Sequence, residues 1–119
     1  MNETKIYSSP TMAGTIEIHK NDITKLKTDA VVNAANSGLR AGGGVCGAIF
    51  RAAGVDQLQA ACDKIGHCPT GGAVITPSFG MKNNKYIIHA VGPRYDDGNR
   101  GEAKELYSSY QESLKLAKQ

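Results

Sequence analysis

Residues Asp29 to Gly54 read DAVVNAANSGLRAGGGVCGAIFRAAG, and the fold turns on how this stretch is read. The apolar run Ala30-Val31-Val32 passes into asparagines at 33 and 36, then a glycine triplet at 42–44, then an alanine-rich segment. Apolar residues that run together rather than alternate suggest a strand buried on both faces, as in an α/β sheet. A strand that turns through glycines into a helix leaves backbone N–H groups free at the helix start. These carry partial positive charge and attract phosphates. Glycine also lets the backbone approach a ligand with no Cβ in the way. The candidates are Gly42, Gly43, Gly44, Val45 and Gly47. The competing reading is a tight turn with no ligand, and a glycine triplet alone would favour it. Its place directly after a buried strand and before a helix favours phosphate. It is neither a Walker loop nor a GxGxxG fingerprint, since the Lys-Ser/Thr ending and the third spaced glycine are missing.

Outward from this stretch, Thr15 to Lys20 (TIEIHK) alternates and reads as a strand with one face buried, followed by a short helical turn after Asp22. The helix from about Val45 to Ala53 stops at Gly54. Asp56 and Gln59 have capping-box spacing for a second helix, with Leu58, Ala61, Cys62 and Ile65 on one face and Gly66 as its stop. Ala73–Pro77 and Tyr86–Val91 read as a strand hairpin. The turn-rich loop GPRYDDGNRG leads to a last helix over about Glu102–Lys118, with Ala103, Leu106, Tyr107, Tyr110, Leu114 and Ala117 as its apolar stripe. The order implies an α/β fold with a mixed sheet. Residues 1–14 read as a flexible leader and 15–119 as one domain.

Composition narrows the function classes. The net charge is only +3, no basic tract stands out, and there are two Phe and no Trp, so a nucleic-acid groove with aromatic platforms is not expected. No apolar run is long enough to cross a membrane, and no secretory signal core is present, so no membrane partner is expected. Three cysteines without paired spacing suggest a reducing, cytoplasmic setting. Cys62, His67 and Cys68 lack the spacing of a metal knuckle, so no metal site and no cofactor is expected.

Other residues have two readings. Asn33 and Asn36 could exchange hydrogen bonds with a ribose hydroxyl, or stabilise the turn as Asx residues. Asp22 could accept from a base's exocyclic amine, or cap the short turn after it. His89, inside an apolar strand, reads as a core residue; His19 lies on a polar face. No Ser-His-Asp or paired-carboxylate arrangement is legible.

Together these blocks resemble the macro domain family. Asn21-Asp22-Ile23-Thr24 is similar to the family's GDIT, Asp29–Asn36 to DAIVNAAN, and Gly42–Gly54 to GGGVDGAIHRAAG. Cys68–Thr76 and Ile88–Pro93 match two further blocks in order. The resemblance covers about residues 15–118 and implies a mixed-sheet α/β/α sandwich that binds ADP-ribose or an ADP-ribosylated protein. Several members hydrolyse ADP-ribose from proteins or deacetylate O-acetyl-ADP-ribose. It implies Asp22 at the adenine amine with the Ile23 backbone beside it, and Gly43–Gly47, with Cys46, around the diphosphate. Asn36 would stand at the distal ribose, with Asn33 nearby.

Two departures matter. The hydrolytic branch usually has Asp where this chain has Cys46, and His where it has Phe50. Cys46 at a helix start is either a partly ionised thiol taking the Asp's place in catalysis, or a small inert residue. Family members also usually continue with two more strands, a second glycine loop and a final helix. The chain therefore reads as the N-terminal two-thirds of the domain, lacking the last strands, with strand 30–34 at an open edge through which copies could associate. Three functional expectations follow: an ADP-ribosyl or O-acetyl-ADP-ribose hydrolase, a non-catalytic ADP-ribose reader, and an incomplete, inactive fragment.

Overall fold

A computed structural model describes residues 4–10, 14–94 and 98–118. Residues 95–97 of the turn-rich loop, and residues 1–3 and 11–13 of the expected leader, lie outside the described residues. The leader is not wholly loose. Strand β1 (Thr4–Pro10) pairs antiparallel with β2 (Thr15–Lys20) as a two-stranded ribbon. The expected buried face of β2 is not observed: Ile16 is 60% exposed, and among the described residues β2 pairs only with β1.

After a 3-10 turn at Ile23–Lys25 comes β3 (Ala30–Ala34), then α1 (Gly44–Ala53) and α2 (Val55–Ile65). Strands β4 (Ala73–Pro77) and β5 (Tyr86–Ala90) and helix α3 (Glu102–Ala117) complete the described fold. The sheet order is β3-β5-β4. β3 runs parallel to β5 from Ala30 opposite Tyr86 to Ala34 opposite Ala90, and β4 runs antiparallel to β5. The sheet is therefore mixed. The expected hairpin forms, through a longer loop over residues 78–85.

Helices α1 and α2 cover one sheet face. Val31, Ile87, Ile49, Phe50, Leu58 and Cys62 are buried there and form half of the core. Helix α3 packs on β5 and β4 from the other side. β3 is not buried on both faces as its composition suggested. Val31 and Asn33 point into the core, whereas Val32 is 47% exposed. The cause is topological: β3 is an edge strand, and α3 lies over β5 and β4.

Side chains fix where β3 begins. Asn84 donates through Nδ2 to Leu26 O (3.2 Å), Thr28 O (3.0 Å) and Thr28 Oγ1 (2.9 Å), tying the hairpin loop to the segment before β3.

Both expected helix faces need correction. Gly54 caps α2 (φ +106°), so Asp56 lies inside the first turn and Gln59 does not return to the cap. In α3 the apolar stripe faces out, with Tyr107 and Tyr110 each 66% exposed. The buried residues are Glu102, Ser109 and Ser113. Ser108 Oγ donates to Gly71 O (2.8 Å), and the Ser109 and Ser113 hydroxyls bond back to the helix's own carbonyls. Short serines let the helix approach the Gly71 backbone closely, and bulky Tyr and Leu would hold it off. Periodicity revealed the stripe but not which way it points.

Candidate functional site

The loop between β3 and α1 is built from side chains that grip its backbone. Ala35 N still donates to Ala90 O (2.9 Å), and the chain then leaves the sheet. Asn36 closes the first turn: its O accepts from Leu39 N (3.0 Å), its Oδ1 from Arg40 N (2.9 Å), and its Nδ2 donates to Arg40 O (2.8 Å). Leu39 takes a left-handed φ of +55°, costly for a non-glycine residue, and burial of its side chain holds it there. From α2, Gln59 Nε2 donates to Leu39 O (3.0 Å) and its Oε1 accepts from Ala41 N (2.9 Å).

Gly42, Gly43 and Gly44 follow as exposed backbone. A Cβ at Gly43 or Gly44 would meet nothing within 4 Å, and Gly44 has φ +56°. Gly43 caps α1, and Gly47 N makes an early helix bond to Gly43 O (3.0 Å). The N–H groups at Gly44–Cys46 belong to the first turn, which has no intrahelical acceptors, and they open toward the bare glycines. Gly47 is required for a different reason: a Cβ there would collide with Gly42 O and lie 3.1 Å from Arg51 Nη1. The helix therefore seats directly on the loop, with a guanidinium beside it. The unit can hold an anion by backbone donors and helix-end potential.

Behind the loop runs a buried polar chain. Thr76 Oγ1 and His89 Nε2 are 3.0 Å apart, and His89 Nδ1 is 3.2 Å from Asn33 Nδ2. The amide of Asn33 donates to Nδ1, so the imidazole proton sits on Nε2 and is given to Thr76. Asn33 Nδ2 also faces Cys46 Sγ (3.7 Å), and the Cys46 thiol donates to Arg40 O (3.7 Å). Burial holds His89 neutral, with its pKa lowered to about 4. Asn33 is fully buried, and its Oδ1 has no hydrogen-bond partner among the described residues. Phe50 packs in the same core, its ring centroid 6.4 Å from that of His89. The departure at position 50 is thus accommodated as core packing.

The 3-10 turn Ile23–Lys25 packs against α1, and Asp22 caps that turn. Asp22 Oδ1 accepts from Thr24 Oγ1 (2.7 Å) and Thr24 N (3.0 Å), so it caps the turn. The Thr24 hydroxyl, and then its amide, hold the carboxyl below its ordinary value.

The structure thus brings Gly42–Gly47, Asn36 and Cys46 together around one loop. Asn33 lies beneath it, and the turn that begins at Ile23, capped by Asp22, stands against the helix that opens from it. Sequence reasoning missed Gln59, which arrives from α2 through tertiary contact, and Arg51, which stands one helical turn on from Gly47 in α1 and was open to i,i+4 spacing. The backbone of Gly42–Gly44 is exposed to solvent. A cavity of about 460 Å³ between α2 and β4, bordered by Ile65, Ile75 and Phe79, and one of about 370 Å³ near Tyr86 and Leu116, both exclude it. The three cysteines are buried free thiols. Burial, with Asp63 and Cys46 nearby, pushes Cys62 up to about 11. Among the described residues no helix is long and apolar enough to cross a membrane.

A mixed sheet flanked by helices, with a glycine loop leading from the carboxyl end of an edge strand into a helix, is an α/β arrangement. The macro domain model matches residues 32–119, and the chain belongs to that family. It is 57% identical over 103 residues to an uncharacterized protein of Fusobacterium nucleatum, covering 86% of this chain and 58% of that protein. It is 49% identical over 110 residues to an O-acetyl-ADP-ribose deacetylase of Escherichia fergusonii, covering 89% of this chain and 61% of the enzyme. Among solved structures, the Oceanobacillus iheyensis macrodomain with ADP superposes with TM-score 0.88 at 35% identity, covering 99% of this chain and 64% of that one. A mutant of that macrodomain with ADPR superposes with TM-score 0.79 at 35% identity, covering 97% of this chain and 63% of that one. The chain thus spans about three-fifths of the length of the relatives it matches.

Proposed function

We propose that this chain is an ADP-ribose-binding module whose Gly42–Gly47 loop holds the diphosphate. The observation that carries the reading is the pair Gly43 and Gly44, bare backbone over open space at the start of α1. Ile23, whose turn packs on the same helix, and Asp22, which caps that turn, suit the adenine end, and Asn36 suits the distal ribose. Asn36 spends its amide on Arg40 in this structure, so contact with ribose means sharing those bonds. Three buried free thiols support a reducing, cytoplasmic setting.

The reader is favoured over the hydrolase. Cys46 has its thiol turned to Arg40 O, and none of the residues assigned around the loop and ribose end is a carboxylate. The Escherichia fergusonii relative keeps hydrolysis of O-acetyl-ADP-ribose as the alternative. Incubation with O-acetyl-ADP-ribose decides between them: the reader releases no acetate above the uncatalysed rate. Acetate release that Asn36→Ala abolishes would make the chain an enzyme.

The edge of β3 supports self-association. Asp29 O accepts from Lys85 N and Tyr86 N, and Ala35 N donates to Ala90 O, so alternate residues face β5. The backbone polar groups of Val32 and Ala34 therefore point outward. Light scattering is expected to give dimers or larger species; a concentration-independent monomer would contradict this.

A further inference from the structure

We propose that Gln59 is a positioning residue that locks the phosphate loop into its binding conformation, an inference that rests on the ADP-ribose reading above. The amide of Gln59 is fully used. Its two Nε2 hydrogens go to Leu39 O and Asp63 Oδ1, each at 3.0 Å, and Oε1 accepts the Ala41 N–H at 2.9 Å. A carbonyl and a carboxylate can only accept here, so the amide has one possible orientation. Asp63, one turn further along α2, sets that orientation without touching the loop.

The grip falls on both sides of Arg40, whose own N–H and C=O are held by Asn36. From Leu39 to Ala41 the backbone is thus clamped by two side-chain amides, one from the loop itself and one from α2. The next residues, Gly42 to Gly44, have no side chains to restrain them, and Gly44 takes a left-handed φ. Their conformation is inherited from the clamped segment before and the helix after. Without the clamp, ligand binding must order glycines with wide conformational freedom, and affinity falls. Only a side chain that both donates and accepts can close the clamp: glutamate lacks the donors for Leu39 O and would face Asp63 with like charge.

Amide exchange of the ligand-free chain and ADP-ribose calorimetry test this together. Gln59→Ala is expected to speed exchange at Ala41 and weaken ADP-ribose binding roughly tenfold, the scale of one or two lost hydrogen bonds. The Gly54 amide, bonded to Phe50 O, serves as an internal control and stays unchanged. Asp63→Ala, which only frees the amide to turn, gives the same changes at smaller size and serves if Gln59→Ala does not fold. Unchanged Ala41 exchange and unchanged affinity in the variant that folds would overturn the proposal. A parent chain that takes up no ADP-ribose would instead overturn the ligand reading, and Ala41 exchange would still decide the clamp.

Discussion

Gly43→Glu is expected to weaken ADP-ribose binding by roughly two orders of magnitude while leaving the fold intact. The position suits such a test. Gly43 has φ −92°, which any residue adopts, and a Cβ there meets nothing within 4 Å. Gly44 is less suitable, because its φ of +56° would mix backbone strain with the charge effect. A carboxylate about 6 Å from a phosphate, at an effective dielectric near 20, is repelled by about 3 kcal/mol, which is roughly a hundredfold in affinity. The neutral isostere Gly43→Gln carries the same bulk without the charge and should bind much closer to the parent. Calorimetry on the three proteins checks this. Equal affinity in Gly43→Glu and the parent would remove the diphosphate from the loop.

A second large effect is expected in acid. His89 is buried and neutral in the folded chain, its pKa lowered from 6.5 to about 4 by loss of solvent. The unfolded chain exposes an ordinary imidazole. Between about pH 6.5 and about 4 the unfolded state therefore takes up a proton that the folded state refuses. His89's contribution is present in full above the unfolded pKa and is lost as pH falls toward the folded one. The gap amounts to about 3 kcal/mol across that window. Other groups titrate there too, so the test is a difference. Thermal melts of the parent and His89→Gln at pH 7, 5.5 and 4 should diverge, with the parent losing stability more steeply. Parallel loss in both proteins would show that His89 is not the group responsible.

The residue types that read well from sequence were those whose constraint is local. The glycines at 42–44 announce a turn and form one, with bare backbone at Gly43 and Gly44, while Gly47 is placed for a close approach of another kind, directly against Gly42 O. The alternation of Asn33 with its apolar neighbours was less legible. Ala30-Val31-Val32 has the composition of a central strand, but which face is covered depends on where α3 lies, and α3 is 70 residues away. The same limit applies to α3 itself, where the buried residues are Glu102, Ser109 and Ser113, with Ser108 beside them bonded to Gly71, and no periodicity of apolar residues marks that side. Gln59 was read as part of a local cap, because spacing reports only contacts along one helix. Its partners, Leu39 and Ala41, lie in a different element. Asn36 had two open readings, ribose contact and Asx turn. The structure shows the second in its bonds to Arg40, and ligand binding decides the first.

The central claim is that the backbone of Gly43, Gly44 and Val45 receives the diphosphate of ADP-ribose. The most direct measurement is an NMR titration of the 119-residue chain with ADP-ribose, following backbone amides, with adenosine as the phosphate-free comparison. Saturable shifts that are largest at Gly43, Gly44 and Val45 with ADP-ribose, and absent there with adenosine, are the predicted result. Saturable binding that leaves those three amides unmoved, or no binding at all, would contradict it.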